Sequence, residues 1–94
     1  MVTAIILINA ERESINELAQ KLSKIKGISE VYSISGRFDL AAIIRVSDNE
    51  KLADLVTKQM LKMEGIIKTE TMIAFRSYSR HDLERMFTIG FKEE

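Results

Sequence analysis

The chain has 94 residues, the length of one domain, and 46% of them are hydrophobic and 30% charged, a balance typical of a globular protein. The 14 Lys and Arg residues match the 14 Asp and Glu residues, so the sequence lacks the basic excess that nucleic-acid binding usually requires. It contains no Cys, which excludes a disulfide framework and thiolate chemistry.

The first predicted element is an apolar strand that runs from Val2 to Ile8. This run is too short to span a membrane and lacks the basic flank of a signal peptide, so we expect a cytoplasmic protein without membrane contact. A helix follows, because apolar residues recur there at helical spacing. These residues are Ile15, Leu18, Ala19, Leu22 and Ile25. Gly27 lies where a residue with left-handed backbone would end the helix.

The second half of the chain repeats the first half. The segment Ala-Ile-Ile at 4–6 recurs at 42–44, a separation of 42 − 4 = 38 residues. Gly65 follows Gly27 at the same separation, inside similar apolar surroundings. We therefore predict that both halves have the same order of elements, which is strand, helix, strand.

The predicted second helix begins with a capping motif. Ser47, with Glu50 three residues later, fits a capping box. Apolar residues then follow at helical spacing, and Gly65 is placed to end the segment. The apolar positions are Leu52, Leu55, Val56, Met60 and Met63.

A short turn at Ser35 to Arg37 separates two β-rich segments and predicts a hairpin between the halves. Two strand-helix-strand units joined in this way give the α+β ferredoxin-like βαββαβ sandwich. Right-handed crossovers would place both helices on one face of its sheet. The segments 2–8 and 40–44 are apolar on both sides, so the other face would expose an apolar patch. We expect a homodimer with the sheets packed face to face, in a dimeric α/β-barrel-like assembly.

The last predicted element is a C-terminal extension. We place the domain at residues 1–76 and the extension at 77–94, where Ser79 can cap a short helix that ends at Gly90. Basic residues gather here, and an anion-binding patch is one interpretation; the interpretation we favour is a helix docked on a neighbouring subunit. His81 is the single histidine, so we predict no metal site.

Two segments carry a family resemblance. V-Y-S-I-S-G-R-F-D-L at 31–40 contains a G-x-x-D turn, and G-I-I-K-T-E-T-M-I-A at 65–74 contains a T-x-T segment. Both resemble the effector-binding (RAM) domain of the Lrp/AsnC family of feast/famine transcription regulators, over about residues 2–75. Full-length members begin with a helix-turn-helix domain, whereas this chain starts at the first strand. The resemblance is therefore to the stand-alone form, and we do not carry over direct nucleic-acid binding.

The resemblance implies a function. Domains of this kind form dimers that join into larger oligomers, and a small effector, typically an amino acid, binds where dimers meet. Co-assembly with full-length Lrp/AsnC regulators is also implied, and no cofactor or catalytic residue is. The ligand-binding positions that match are Gly36, Arg37, Phe38, Asp39, Thr69, Thr71 and Met72.

The candidate residues have two interpretations each. Asp39 suits a ligand ammonium group or a cap on its own turn. Arg37 suits a ligand carboxylate or is a solvated turn charge. Gly36 serves turn geometry or close ligand approach. Thr69 and Thr71 alternate onto one strand face, where they form a polar spot or merely reflect β-propensity.

Three functions fit the sequence: an effector sensor, a small dimeric α+β barrel enzyme of the monooxygenase type, and an architectural oligomer. The enzyme would need chemistry inside the barrel. There is no Trp or Cys, and the one His lies outside the repeat. Asp39 and the scattered glutamates have no partner spaced for acid–base work. We therefore expect a sensor that is not an enzyme and that responds through its oligomeric assembly.

Overall fold

The computed structural model describes residues 1–78, which form a four-stranded antiparallel sheet with helices on one face. The strand order is β2-β3-β1-β4, so the predicted ferredoxin-like α+β fold is confirmed. The predicted helix after Ser79 lies outside the described residues. The elements in chain order are β1 (Val2–Ala10), a 3₁₀ turn (Arg12–Ser14), α1 (Ile15–Ser23), β2 (Ile28–Ser33), β3 (Leu40–Val46), α2 (Asn49–Asp54), a π-helical segment (Leu55–Met60) and β4 (Ile66–Ile73).

The hydrophobic core lies between the sheet and the helices. Along β1 the side chains alternate, and Ala4, Ile6 and Ile8 are fully buried. Their partners on β3 are equally buried, because directly paired residues share a sheet face. Five helical residues close this core, and they are Leu18, Leu22, Leu52, Leu55 and Met60. No helix within residues 1–78 has the length and apolar character needed to cross a bilayer.

Helix α2 continues into wider turns. The Leu61 amide donates to the Val56 carbonyl over 3.1 Å, which is the five-residue step of a π-helix. A wider turn rotates less per residue, and it keeps Met60 against the sheet five positions after Leu55. Met60 is fully buried, whereas Val56 is only partly buried.

Two glycines join the halves of the repeat. The Gly27 carbonyl accepts from the Arg45 amide, and the Gly65 carbonyl accepts from the Glu11 amide, both over 2.8 Å. A Cβ on Gly27 would lie 2.9 Å from Leu55 Cδ1, and one on Gly65 would lie 2.8 Å from the Ser14 Cβ. Each glycine therefore packs against the other half of the repeat. Both have positive φ, as predicted.

Both edge strands carry a register shift. Pairing of β4 with β1 shifts between Asn9 and Ala10, and pairing of β2 with β3 shifts between Ile28 and Glu30. On β4 the residue left without a partner is Ile67, whose side chain is exposed. Each shift is a β-bulge or irregularity that bends the strand near its start.

The sheet face opposite the helices is apolar at its centre. Met72, Ile5 and Ile43 lie side by side across β4, β1 and β3, as the strand registers place them. The neighbouring row brings Leu7 beside Ala41. Ala41 is buried but lies outside the core cluster, because it belongs to this open face. The predicted apolar patch is therefore present.

The cap of α2 differs from the prediction. Asp48, not Ser47, is the N-cap residue, and its Oδ1 accepts from the Lys51 amide over 2.8 Å. The predicted capping box of Ser47 with Glu50 is wrong. Asp48 has the extended backbone that an N-cap needs, and its negative charge suits the start of a helix.

Replacing the cap tests this assignment. Asp48→Ala removes the acceptor of the Lys51 amide, so we expect the free energy of unfolding to fall by about 1 kcal/mol. Ser47→Ala is the matched control and should change it by less than about 0.5 kcal/mol. Urea unfolding measures both. A larger loss for Ser47→Ala than for Asp48→Ala would contradict the cap assignment.

Candidate functional site

The turn between β2 and β3 contains the first group of candidate residues. Its ends are joined where the Ile34 amide donates to the Asp39 carbonyl over 3.0 Å. Gly36 has φ of 115° and its added Cβ would meet nothing within 4 Å, so backbone conformation rather than space favours glycine. Gly36 and Arg37 are exposed, whereas Phe38 is partly buried. The turn therefore presents its tip to solvent.

Asp39 has a structural role that neither sequence interpretation included. Its Oδ2 accepts from the Ala10 amide over 2.9 Å, and its own amide donates to the Ile8 carbonyl over 2.9 Å. The carboxylate thus holds the end of β1 instead of capping its own turn. A carboxylate offers about four acceptor sites, so this bond leaves capacity for a ligand.

The second group of candidates lies on the edge strand β4. Thr69 pairs with Ile8 and Thr71 with Ile6, which places both hydroxyls on the helix side of the sheet. They share one face, as predicted, but Thr69 is partly buried and Thr71 is exposed. Met72 pairs with Ile5 and so belongs to the open face. Thr69 and Thr71 therefore lie on one face of the strand, and Met72 lies on the other.

The end of β1 brings the two groups together. Asp39 binds β1 at Ile8 and Ala10, while Thr69 lies opposite Ile8 on the other side of β1. The turn and the start of β4 consequently share one end of the sheet. Gly36, Arg37, Thr71 and Met72 are all exposed in one protomer, and Met72 lies on the opposite sheet face from the two threonines.

A polar cluster on the open face was missed by sequence reasoning. Arg45 Nη1 donates to Ser29 Oγ over 2.7 Å and lies 3.7 Å from Glu30 Oε1. The Tyr32 hydroxyl donates to Glu30, and this hydrogen bond raises the pKa of Tyr32. These residues come from β2 and β3, so only the strand register shows that they meet. They form a polar border on one side of the apolar row.

A cleft of about 510 Å³ lies at the opposite end of the sheet from the turn. It opens between the loop after α1 and helix α2, and its lining includes Lys26, Gly27 and Lys51. None of the seven predicted positions lines it. Sequence reasoning missed it because its residues come from three separate segments. Within residues 1–78, no three potential metal-ligating side chains come together.

The family model for the Lrp/AsnC ligand binding domain matches residues 3–83. An HTH-type transcriptional regulator of Pyrococcus horikoshii, PH1916, is 32% identical over an alignment of 76 residues, and the match covers 78% of this chain and 51% of that protein. The chain thus spans about half the length of the curated relatives it matches.

Solved structures share the fold. The crystal structure of TTHA0845 from Thermus thermophilus is 40% identical, has a TM-score of 0.80, and matches 85% of this chain and 100% of that chain. The transcriptional regulator NMB0573 of Neisseria meningitidis, solved as an L-Met complex, has a TM-score of 0.76 at 12% identity. That match covers 84% of this chain and 53% of the regulator, and it shows likeness of fold alone.

The role of Asp39 in holding β1 is testable. Asp39→Ala leaves the Ala10 amide without its acceptor, so we expect a loss of about 1–2 kcal/mol in the free energy of unfolding. Asp39→Asn retains an acceptor oxygen and should lose clearly less. Asp54→Ala, which removes only an exposed ion pair with Lys58, is the control and should cost at most about 0.5 kcal/mol. Equal urea-unfolding energies for the Ala and Asn variants of Asp39 would contradict this role.

Proposed function

The chain belongs to the Lrp/AsnC ligand-binding domain family, and from this membership we propose that it is a cytoplasmic effector-binding module that is not an enzyme. Its effector is a small molecule, and we propose an amino acid. The module senses this effector through a change in its own oligomeric assembly. The match to the ligand-binding domain over residues 3–83 is the observation that carries the proposal.

The first step of the proposal is a homodimer formed by the open sheet faces. Ile5 and Ile43 stay partly exposed in one protomer although they occupy the two central strands. Burial of a large aliphatic side chain contributes about 1.5–3 kcal/mol, so a second copy on this face would stabilise both chains. The cluster of Glu30, Tyr32 and Arg45 limits the patch on the β2 side.

The second step is an effector site completed by a neighbouring dimer. Gly36 and Arg37 are exposed at the turn, and Thr71 is exposed on the edge strand. An exposed patch becomes a pocket only when another surface covers it. Arg37 would bind the effector carboxylate, and the free acceptor sites of Asp39 would receive its ammonium group. Phe38 and Thr69 complete the proposed lining, whereas Met72 lies on the open face and belongs to the proposed dimer contact.

The assembly and the effector would be thermodynamically linked. An effector that contacts two dimers binds the assembled state and has no complete site on separate dimers, so it shifts the equilibrium towards assembly. Relatives that match this domain are named transcriptional regulators. We therefore propose that co-assembly with full-length members of the family is the route by which the response reaches a gene.

The amino-acid class of the effector rests on two supports. One is that a cationic Arg37 and the carboxylate of Asp39 occur in a single turn, and together these two charges complement a zwitterion. The other is the L-Met bound to the regulator NMB0573, a protein of the same fold. No contact among the described residues favours the monooxygenase-type alternative over this one.

The dimer is tested at the centre of the open face. Ile5→Glu introduces a charge that the dimer would have to desolvate, so we expect the variant to be monomeric by native mass spectrometry while the parent is at least dimeric. Ile67→Glu makes the same exchange at the β4 bulge, outside the apolar row, and should keep the dimer. A dimeric Ile5→Glu protein, or a monomeric parent, would contradict the face-to-face packing.

The sensor function is tested by an amino-acid screen. We expect one or more amino acids to raise the melting temperature by several degrees and to increase the oligomer mass, because ligand binding stabilises by mass action. Arg37→Ala should abolish both responses and keep the dimer. Lys24→Ala, an exposed change at the other end of the sheet, should keep both responses. No response to any amino acid would rule out this effector class.

A further inference from the structure

The cleft at the opposite end of the sheet combines an apolar floor with a cationic rim. Gly27, Val46 and Leu55 form the floor, and a Cβ on Gly27 would lie 2.9 Å from Leu55 Cδ1 and 3.0 Å from Val46 Cγ1. A side chain at position 27 would therefore push against the floor. The glycine keeps this packing intact.

The rim has uncompensated positive charge. Lys26 and Lys51 are exposed, and neither forms an ion pair within residues 1–78. The one carboxylate in the lining, Asp54, already pairs with Lys58 over 3.3 Å. Arg45, from β3, also lines the cleft, but its guanidinium is already paired with Glu30 over 3.7 Å, so the unpaired charge of the rim comes from the two lysines. This concentration stands out in a chain whose formal net charge is zero.

The internal repeat supplies a built-in comparison. A second cleft lies in the equivalent place, where the loop after α2 meets α1, but its volume is only about 70 Å³. At the separation of 38 residues, Lys26 corresponds to Glu64. Glu17 and Lys21 also line this second cleft. The fold thus produces a groove at both places, and the first groove is the wider and the more basic of the two.

We infer that the larger cleft binds a small organic anion. Its carboxylate or phosphate group would lie between Lys26 and Lys51, and its apolar part would contact the floor at Leu55. The volume falls within the range of about 300–1,000 Å³ that small-molecule sites occupy. The site is independent of the proposed effector site, because the two lie at opposite ends of the sheet.

The inference is tested by titrating the ¹⁵N-labelled protein with phenyl phosphate and with benzoate at constant ionic strength, and with benzyl alcohol as the neutral control. We expect saturable amide shifts at Lys26, Gly27 and Lys51 with at least one of the anions and none with the alcohol. The two anions show whether phosphate or carboxylate is preferred.

Charge reversals locate the site. Lys26→Glu, which copies the repeat-equivalent Glu64, and Lys51→Glu should each raise the Kd about tenfold, the size expected for losing a hydrogen bond to a charged group. Lys24→Glu makes the same change of net charge on the same loop but outside the cleft lining, and should leave the Kd within about twofold.

Three results would each overturn the inference. The first is an absence of saturable shifts in the cleft with both anions. The second is an equal weakening by Lys24→Glu, which would mean unspecific attraction. The third is a set of shifts confined to Gly36–Asp39 and β4, which would assign the anion to the effector site. The amino-acid screen tests that effector site separately, so the two proposals can fail independently.

Discussion

The apolar contact of Ile5 with its cross-strand neighbours lies on the sheet face that no helix covers. The proposed assembly of this protein depends on that contact. The helices bury one side of the two central strands completely, and the same strands are apolar on the other side as well. Among residues 1–78, no further helix or strand covers that second side. This uncovered apolar face is the observation on which the proposed association with a second copy rests.

The repeat explains how so short a chain builds one core. Each half contributes a helix and two strands, and each sends its helix-terminal glycine to pack on the other half. Neither half can form these contacts alone, because Gly27 meets Leu55 and Gly65 meets Ser14. Because each half completes the packing of the other, the two halves should fold cooperatively. The same arrangement creates two equivalent grooves, which differ in charge through Lys26 and Glu64.

Sequence periodicity predicts the fold well because burial repeats with the helix and strand period. Leu18, Leu22 and Leu52 are core residues in the structure for that reason. The cap of α2 is not predictable from the sequence, because Ser47 and Asp48 are adjacent and both are good caps, so only backbone geometry separates them.

The candidate site was less predictable, because it depends on contacts between distant residues. The turn motif singles out Asp39, but its partner Ala10 is 29 positions away, and spacing within the turn gives no sign of this contact. The large cleft is even harder to predict from the sequence. Lys26, Arg45 and Lys51 look like scattered surface charges in the sequence, and they come together only when the sheet and both helices are in place.

The irregular pairing at Ile67 and near Ser29 has a consequence for solubility. A regular edge strand has unpaired amides and carbonyls, which can form hydrogen bonds with a strand of another chain. Repeated pairing of this kind builds fibres. Here both edge strands are bent near their first residues, so a strand of another chain could not pair with them in a regular register. The two bulges therefore discourage growth of the sheet by addition of strands at either edge.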